Sequence, residues 1–174
     1  MHPNMISKSS PRRLVILSGY FGFGNLGDEA ILESLLNWLK DFVSVENIVV
    51  LSANPATTSC LFGVKAVNRW NLWAWLFLFK QARLVISGGG GLFQDTKSAG
   101  SALFYGCQIN LAKALGTPVV ALAQGLGPLH GAMARKLTRQ SLKCCQAITV
   151  RDQTSYQLLK SWAITGEKTA DLVW

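Results

Sequence analysis

Two glycine-rich stretches combine a backbone with wide conformational freedom and polar side chains that could bind a ligand or transfer a proton. The first of them is GFGNLGDEA. Residues 22–27 fit the G-x-G-x-x-G pattern, in which glycines let the backbone approach the pyrophosphate of a dinucleotide. Loops that bind a dinucleotide also need an acidic residue at the end of the next strand to bind the ribose. The corresponding region here, LSANPATT, contains no acidic residue. Asp28 and Glu29 follow the loop directly, where carboxylates compete with phosphate for the helix N-terminus. The stretch therefore argues against a bound NAD.

The acidic pair at positions 28 and 29 has two interpretations. Both carboxylates can simply complement the positive end of a helix dipole. Alternatively, Asn25, Asp28 or Glu29 hydrogen-bonds sugar hydroxyls, or one carboxylate acts as a base. In the second interpretation Asp28 is a catalytic candidate, and the loop around it binds substrate through pliable backbone and an amide side chain. The substrate-binding candidates of this loop are Gly22, Gly24, Asn25 and Gly27.

The second stretch, SGGGGLFQD, has four consecutive glycines. Ordering each of them costs roughly 1–2 kcal/mol of backbone entropy, which is tolerable where a positive φ or a close approach is needed. Exposed amides there could form an anion-binding nest, with polar side chains of Gln94 and Asp95 nearby. The alternative is simple steric relief where a strand meets a helix. We predict Asp95 as a catalytic candidate, and the substrate-binding candidates here are Gly88, Gly89, Gly90, Gly91 and Gln94.

Two further loops, AQGLGP and VRDQTS, follow later apolar runs. Gln124 and Gly125 in the first are substrate-binding candidates. Arg151 in the second is a catalytic candidate, because a guanidinium binds carboxylate or phosphate in bidentate fashion. The alternative for Arg151 is an ion pair with Asp152 or another acid. His130 is a plausible proton donor by chemistry, but a lone histidine in a loop is more often incidental.

All four loops follow strands in a pattern of alternating strands and helices, which predicts an α/β fold with a doubly wound, mostly parallel Rossmann-like sheet. The first predicted helix has Ile31, Leu35, Trp38 and Leu39 on one apolar face. If the strand order is 3-2-1-4-5-6, the two glycine-rich loops flank the point where that order reverses, which is where such sheets bind ligands. The predicted strands are 14–20, 47–53, 64–67, 83–88, 117–125 and 147–152. The predicted helices are 28–42, 70–79, 101–116, 131–145 and a last one from Asp152 to about Trp162.

Composition indicates one folded domain with anionic partners. The chain has 174 residues, a net charge of +8 and a pI near 9.6. No aromatic and basic interleaving supports nucleic-acid binding. The four cysteines lack metal-site spacing, so we expect reduced cytosolic thiols, no metal and no cofactor. We expect residues 1–13 to be a flexible extension and residues 14–174 to form the domain. In the predicted helix 131–145, Arg135, Arg139 and Lys143 form a basic stripe.

The apolar run WNLWAWLFLF occupies residues 70–79, between Arg69 and Lys80. It is too short to span a bilayer, which takes about 20 residues. It fits either a helix buried against a sheet or a Trp-rich helix with basic flanks that lies in a membrane interface.

Taken in order, six stretches of this chain resemble the polysaccharide pyruvyl transferases, in particular the CsaB type that modifies cell-wall polymers. The stretches are GYFGFGNLGDEAIL, LSANP, SGGGGLFQD, LAQGLGP, ITVRDQTS and TAD. The resemblance covers about residues 14–172. It implies transfer of the enolpyruvyl unit of phosphoenolpyruvate to a sugar as a ketal, with release of phosphate. For the CsaB type it implies an N-acetylmannosamine of a lipid-linked precursor at the cytoplasmic face, and hence cytoplasmic localisation with possible peripheral membrane contact.

The resemblance also implies a likeness to the first domain of the two-domain GT-B glycosyltransferase fold. Arg151 matches an arginine that contacts the donor, and Asp28 with the glycine loops lies where the cleft wall and acceptor are expected. The family's second half, expected to supply a histidine as general acid, has no counterpart in these 174 residues, and Leu172 stands where a proline is expected after TAD. We therefore expect the N-terminal half of a two-domain protein. It would be a fragment, a split protein that works with a separate second half or as a homo-oligomer, or a degenerate copy.

Two other functions remain open from the sequence. The same loops could serve another GT-B enzyme that uses nucleotide-sugars. A lone half could also be a non-catalytic module that binds sugar or membrane through its Trp-rich and basic helices.

Overall fold

A computed structural model describes residues 12–95 and 100–173. Its seven strands form one sheet in the order β3-β2-β1-β4-β5-β6-β7, and every neighbouring pair is parallel. The strands are β1 (Leu14–Ser18), β2 (Ile48–Ser52), β3 (Lys65–Asn68), β4 (Ala82–Gly88), β5 (Val119–Gln124), β6 (Ala147–Val150) and β7 (Glu167–Lys168). The helices are α1 (Leu26–Leu39), α2 (Pro55–Phe62), α3 (Leu72–Gln81), α4 (Gly100–Ala114), α5 (Ala132–Leu142) and α6 (Gln153–Ser161). This confirms the predicted doubly wound α/β fold.

The sheet carries one helix layer on each face. Buried side chains of α1 share a core with alternate residues of β1 and β2, and Phe62 of α2 packs against the same core. Helices α3 to α6 contribute to the other core. We call α1 and α2 the first layer and α3–α6 the second layer. This division follows from right-handed crossovers, because the chain reverses its direction across the sheet between β3 and β4.

The first layer ends before it covers the whole sheet. Val119 and Ala121 of β5 are buried under the second layer, whereas Val120 and Leu122 on the opposite face remain half-buried. The apolar strand sequences predict helices on both faces, and over β5 the described helices meet that prediction on one face only.

Two local features differ from the sequence-based expectation. Helical spacing predicts Trp38 on the buried face of α1 with Ile31, Leu35 and Leu39, but it is 52% exposed while the other three are buried. Helix α2 is not among the predicted helices, although Asn54 caps its start and Gly63 ends it at a φ of +63°. Only Thr58 of α2 is fully buried, so the segment has no apolar periodicity to reveal it.

The start of the described chain is held by Arg12. The guanidinium of Arg12 donates to the carbonyl oxygens of Gly116 (2.6 Å) and Leu115 (3.0 Å) after α4. The rest of the predicted extension, residues 1–11, lies outside the described residues. At the other end, β7 precedes TADLVW, for which the sequence predicts a strand or a linker, and residues 169–173 form no strand.

Candidate functional site

A cleft of about 420 Å³ lies at the carboxyl edge of the sheet, between the loops that follow β1 and β4. Parallel strands bring their carboxyl ends to one edge, so residues far apart in sequence meet there. Seven predicted site residues line the cleft: Asn25, Gly27, Asp28, Gly90, Gly91, Gln94 and Arg151. The cleft is also lined by seven residues that the sequence did not predict as part of the site: Tyr20, Ile31, Leu92, Ser101, Tyr105, Asp171 and Val173.

The loop after β1 is held by its own polar side chains. The side-chain oxygen of Asn25 accepts the Gly27 N–H at 3.1 Å and so caps α1. The Glu29 carboxylate accepts the Gly22 N–H at 2.8 Å. Glu29 therefore holds the loop through this hydrogen bond. Of the two neighbouring acids, Asp28 is the one that lines the cleft.

Asp28 is half-buried at the start of α1 and accepts no hydrogen bond from the described part of the chain. Burial raises the pKa of Asp28 above its ordinary value, and the nearby negative charge of Glu29 raises it further. The positive charge of Arg151 acts in the opposite direction. The environment thus favours a carboxyl group that binds a proton or a hydroxyl readily.

The second glycine stretch lets the loop after β4 pack closely against α1. Gly89 and Gly90 have φ of +53° and +74°. A Cβ on Gly89 would lie 2.5 Å from Ile31, and a Cβ on Gly90 would lie 2.9 Å from a carboxylate oxygen of Asp28. These two glycines are therefore needed for the approach of the β4 loop to α1, which supports the steric interpretation of the stretch. Gly91 lies on the cleft wall, and Gly88 is buried below it.

Arg151 lies in the cleft as half of an ion pair. Its Nη1 donates to Oδ2 of Asp171 at 2.7 Å, the only ion pair among the described residues. A Cβ on Gly125 would lie 3.1 Å from Nε of Arg151, so this glycine makes room for the guanidinium and does not itself line the cleft. Asp152, the other acid weighed as a partner, instead caps α6 by accepting the Ser155 N–H at 2.7 Å.

Asp95 lies outside the cleft lining and is engaged elsewhere. Its two carboxylate oxygens accept the backbone N–H groups of His130 (2.9 Å) and Gly131 (2.6 Å) at the start of α5. These two hydrogen bonds hold the pKa of Asp95 below its ordinary value. Asp95 thus holds the segment that leads into α5, and His130 lines a different groove on the surface of α5.

Three more predicted residues also lie away from the cleft lining. Gln124 is fully buried, and its Nε2 donates to the Ser87 carbonyl at 2.8 Å. Gly22 has a φ of +78°, and a Cβ there would lie 2.0 Å from Oγ of Ser52. Gly24 has a φ of +74° and is exposed, and a Cβ there would point into open space. Gln124 therefore supports the end of β5, and the two glycines shape the loop between β1 and α1.

A second, apolar cavity of about 490 Å³ adjoins the cleft and shares Tyr20, Ser101 and Tyr105 with it. At its base lies Arg69, which is only 3% exposed. Its guanidinium donates to the Gly19 carbonyl (2.8 Å) and to the Tyr105 hydroxyl (2.9 Å). Aromatic rings surround this cation at 4.5–5.9 Å: Tyr20, Phe23, Trp70, Phe104 and Tyr105. We call this cavity the aromatic pocket.

The sequence showed Arg69 only as a basic flank of the Trp-rich run, and its burial depends on aromatic residues from three separate segments. Cation–π contacts with these rings partly replace the water that a buried guanidinium loses. Burial raises the pKa of Tyr105, and the positive charge of Arg69 opposes that rise. The arginine therefore fixes the tyrosine hydroxyl that lies on the wall shared by the two cavities.

Other chemistries find little support in the described residues. No group of three or more His, Cys, Asp or Glu side chains there could hold a metal ion. All four cysteines are free, and burial raises the pKa of Cys145 to about 12, with a smaller effect from Cys144. That thiol stays protonated at neutral pH and is a poor nucleophile.

The cleft thus combines an arginine that pairs with Asp171, the half-buried carboxyl group of Asp28 and glycine backbone at a shared edge. Such a set can bind a carboxylate or phosphate and can orient a hydroxyl group. A search of curated proteins finds no match to this chain. A family model described as polysaccharide pyruvyl transferase matches residues 25–174, which include the whole of α1 and every later element. The chain belongs to the polysaccharide pyruvyl transferase family.

Proposed function

We propose that this domain takes part in the transfer of pyruvate from phosphoenolpyruvate to a sugar of a cell-wall or exopolysaccharide precursor. The observation that carries the proposal is the position of Arg151 and Asp28 on the wall of one cleft. The donor has both a carboxylate and a phosphate, and each fits a guanidinium fork. The acceptor contributes hydroxyls, which fit a carboxylate that has no hydrogen-bond donor of its own among the described residues.

The reaction follows from the electronic structure of the donor. A proton adds to its methylene carbon, which becomes a methyl group and leaves C2 electrophilic. A sugar hydroxyl then forms a C–O bond to C2 and gives up its proton. A second hydroxyl of the same sugar forms another C–O bond to C2, loses its proton, and the bond from C2 to the phosphate oxygen breaks. The products are a cyclic ketal and inorganic phosphate.

The residues of this chain would have separate roles in that sequence. Arg151 stabilises the negative charge of the donor, and the backbone around Gly90 and Gly91 supports the bound ligand. Asp28 accepts a proton from an attacking hydroxyl, a role that its raised pKa suits. Asp95 is the weaker candidate because both of its oxygens already accept backbone hydrogen bonds. We assign the proton donor for the methylene carbon to the histidine of the family's second half, and the reaction to the cytoplasm.

Calorimetric titration tests the donor directly. The protein should bind phosphoenolpyruvate, and Arg151→Gln should weaken that binding about 100-fold while Arg135→Gln, on the surface of α5, leaves it unchanged. Phosphate release that requires a β-linked N-acetylmannosamine acceptor, lipid-linked or polymeric, should accompany ketal formation in the full protein. Binding of nucleotide-sugars in place of phosphoenolpyruvate would overturn the proposal in favour of another GT-B enzyme.

A further inference from the structure

The second helix layer has a one-sided charge distribution. Its four helices contain six basic residues and no aspartate or glutamate, whereas α1 of the first layer contains Asp28, Glu29 and Glu33. A further lysine, Lys143, caps the end of α5. The basic residues of the four helices, all exposed, are Lys80, Lys113, Arg135, Lys136, Arg139 and Lys160. The exposed side chains of these four helices therefore give the second layer a net positive charge.

The positive charge is densest along α5. A surface groove of about 750 Å³ is lined by His130 and four basic residues, and no carboxylate belongs to its lining. The four are Arg135, Lys136, Arg139 and Lys143. The Arg139 guanidinium donates to the Trp162 carbonyl at 3.3 Å. None of these cations forms an ion pair within the described residues, so their charge is available to an outside partner.

Helix α3 of the same layer exposes large apolar side chains. Trp75, Leu78 and Phe79 are buried in the core, while Trp73 is 82% and Phe77 68% exposed. One face of this helix is thus buried against the sheet, and the other exposes large aromatic side chains. Leu72 and Trp70 are exposed beside them and also line the aromatic pocket. The apolar surface therefore extends from α3 to the neighbourhood of the cleft.

We propose that the second helix layer docks on an anionic lipid bilayer, with Trp73 and Phe77 in the interfacial region and the basic side chains of α5 facing the headgroups. A soluble polyanion would use the positive charge but would leave the exposed aromatic side chains without a role. A bilayer surface uses both, since tryptophan favours the interface and anionic lipids attract lysine and arginine. None of the described helices has the length and apolarity that a membrane crossing requires, so this contact is peripheral.

Sedimentation with vesicles tests the proposal on the full chain. The protein should bind vesicles of phosphatidylcholine that contain about 30% phosphatidylglycerol, and binding should weaken as salt is raised, because salt screens the headgroup charge. Vesicles of phosphatidylcholine alone should bind far less. Quenching of tryptophan fluorescence by brominated lipid should accompany binding and should fall in Trp73→Ser.

Two pairs of variants separate the contributions, and each has a matched control on the other side of the sheet. Trp73→Ser with Phe77→Ser should weaken vesicle binding about tenfold, whereas Trp38→Ser with Phe42→Ser, which changes exposed aromatics in and just after α1 of the first layer, should not. Lys136→Gln with Lys143→Gln should weaken it about fivefold for each charge, whereas Lys40→Gln, at an exposed lysine that ends α1 of the first layer, should have little effect.

Two outcomes would overturn the proposal, provided that circular dichroism shows each variant to be folded. One is the absence of binding to anionic vesicles at low salt. The other is binding to a soluble polyanion such as heparin that is as strong as vesicle binding and indifferent to the Trp73 and Phe77 substitutions, which would assign the layer to an anionic polymer.

Discussion

Asp28 and Asp95 come from the two glycine-rich loops on either side of the point where the strand order reverses, yet their environments are opposite. Asp28 is half-buried in the cleft, and burial raises its pKa. Asp95 lies outside the cleft lining, where the backbone N–H groups of His130 and Gly131 lower its pKa. Two carboxylates that look alike in sequence therefore have different physical roles.

The difference teaches how to separate a candidate for chemistry from a residue that stabilises the fold. A carboxylate with strong backbone donors lowers the free energy of the folded state and has little remaining capacity to bind a ligand. A carboxylate that is desolvated without such donors destabilises the fold and is available to a substrate. The same reasoning separates Glu29, which holds the Gly22 N–H, from its neighbour Asp28.

The largest effect is expected from removing the cation beside Asp28. Arg151→Gln should weaken phosphoenolpyruvate binding about 100-fold, because two charge-assisted hydrogen bonds are lost, and Arg151→Lys about tenfold, because the fork is lost but the charge remains. Arg151→Gln also removes the charge that lowers the pKa of Asp28. Calorimetry measures both variants, and unchanged affinity in Arg151→Gln would contradict the assignment.

Asp28→Asn should separate activity from stability. Turnover should fall about 100-fold if Asp28 accepts a proton from the acceptor hydroxyl. The melting temperature at pH 7 should rise, because a carboxyl whose native pKa is raised lowers the free energy of unfolding as pH increases from about 3.8 through that raised value. Asp41→Asn, an exposed acid beyond α1, is the control for both measurements. A fall in melting temperature together with normal turnover would show that Asp28 is structural.

Asp95→Ala should have the reverse effect. The melting temperature at pH 7 should fall by about 3 °C, since the two backbone N–H groups just before α5 lose their acceptor, while phosphoenolpyruvate binding stays unchanged. A native pKa below the ordinary value stabilises the fold above about 3.8, and this stabilisation is lost as pH falls through the lowered pKa. The difference in melting temperature between Asp95→Ala and the parent protein should therefore shrink in acid. A loss of turnover with a normal melting temperature would restore Asp95 as a catalytic candidate.

The smallest effect is expected at His130. The backbone N–H of His130 donates one of the two hydrogen bonds that Asp95 accepts. The residue lines the groove of α5 and does not line the cleft. His130→Ala keeps the backbone donor, so melting temperature and turnover should both stay unchanged. Loss of turnover in this variant would contradict the placement of the reaction in the cleft.

Much of the fold was predictable because its signals are local. Apolar runs followed by glycine mark β1 and β4, and Asp152 is recognisable in the sequence as the cap of α6. The prediction for Trp38 is wrong because helical spacing gives the angle of a side chain but not the extent of the layer that covers it. Helix α2 escapes prediction because it buries little, although Pro55 at its start and Gly63 at its end are typical helix boundaries.

The sequence by itself determined which chemical groups stand at the carboxyl edge, because each follows an apolar strand and parallel strands end on the same side. It placed Asp28, Asp95 and Arg151 there as equal candidates. Only the tertiary structure decided that Asp95 meets backbone donors 35 and 36 residues away, and that Arg151 meets Asp171. Burial and hydrogen bonding at these groups depend on distant segments, and they decide which of the groups remains available for chemistry.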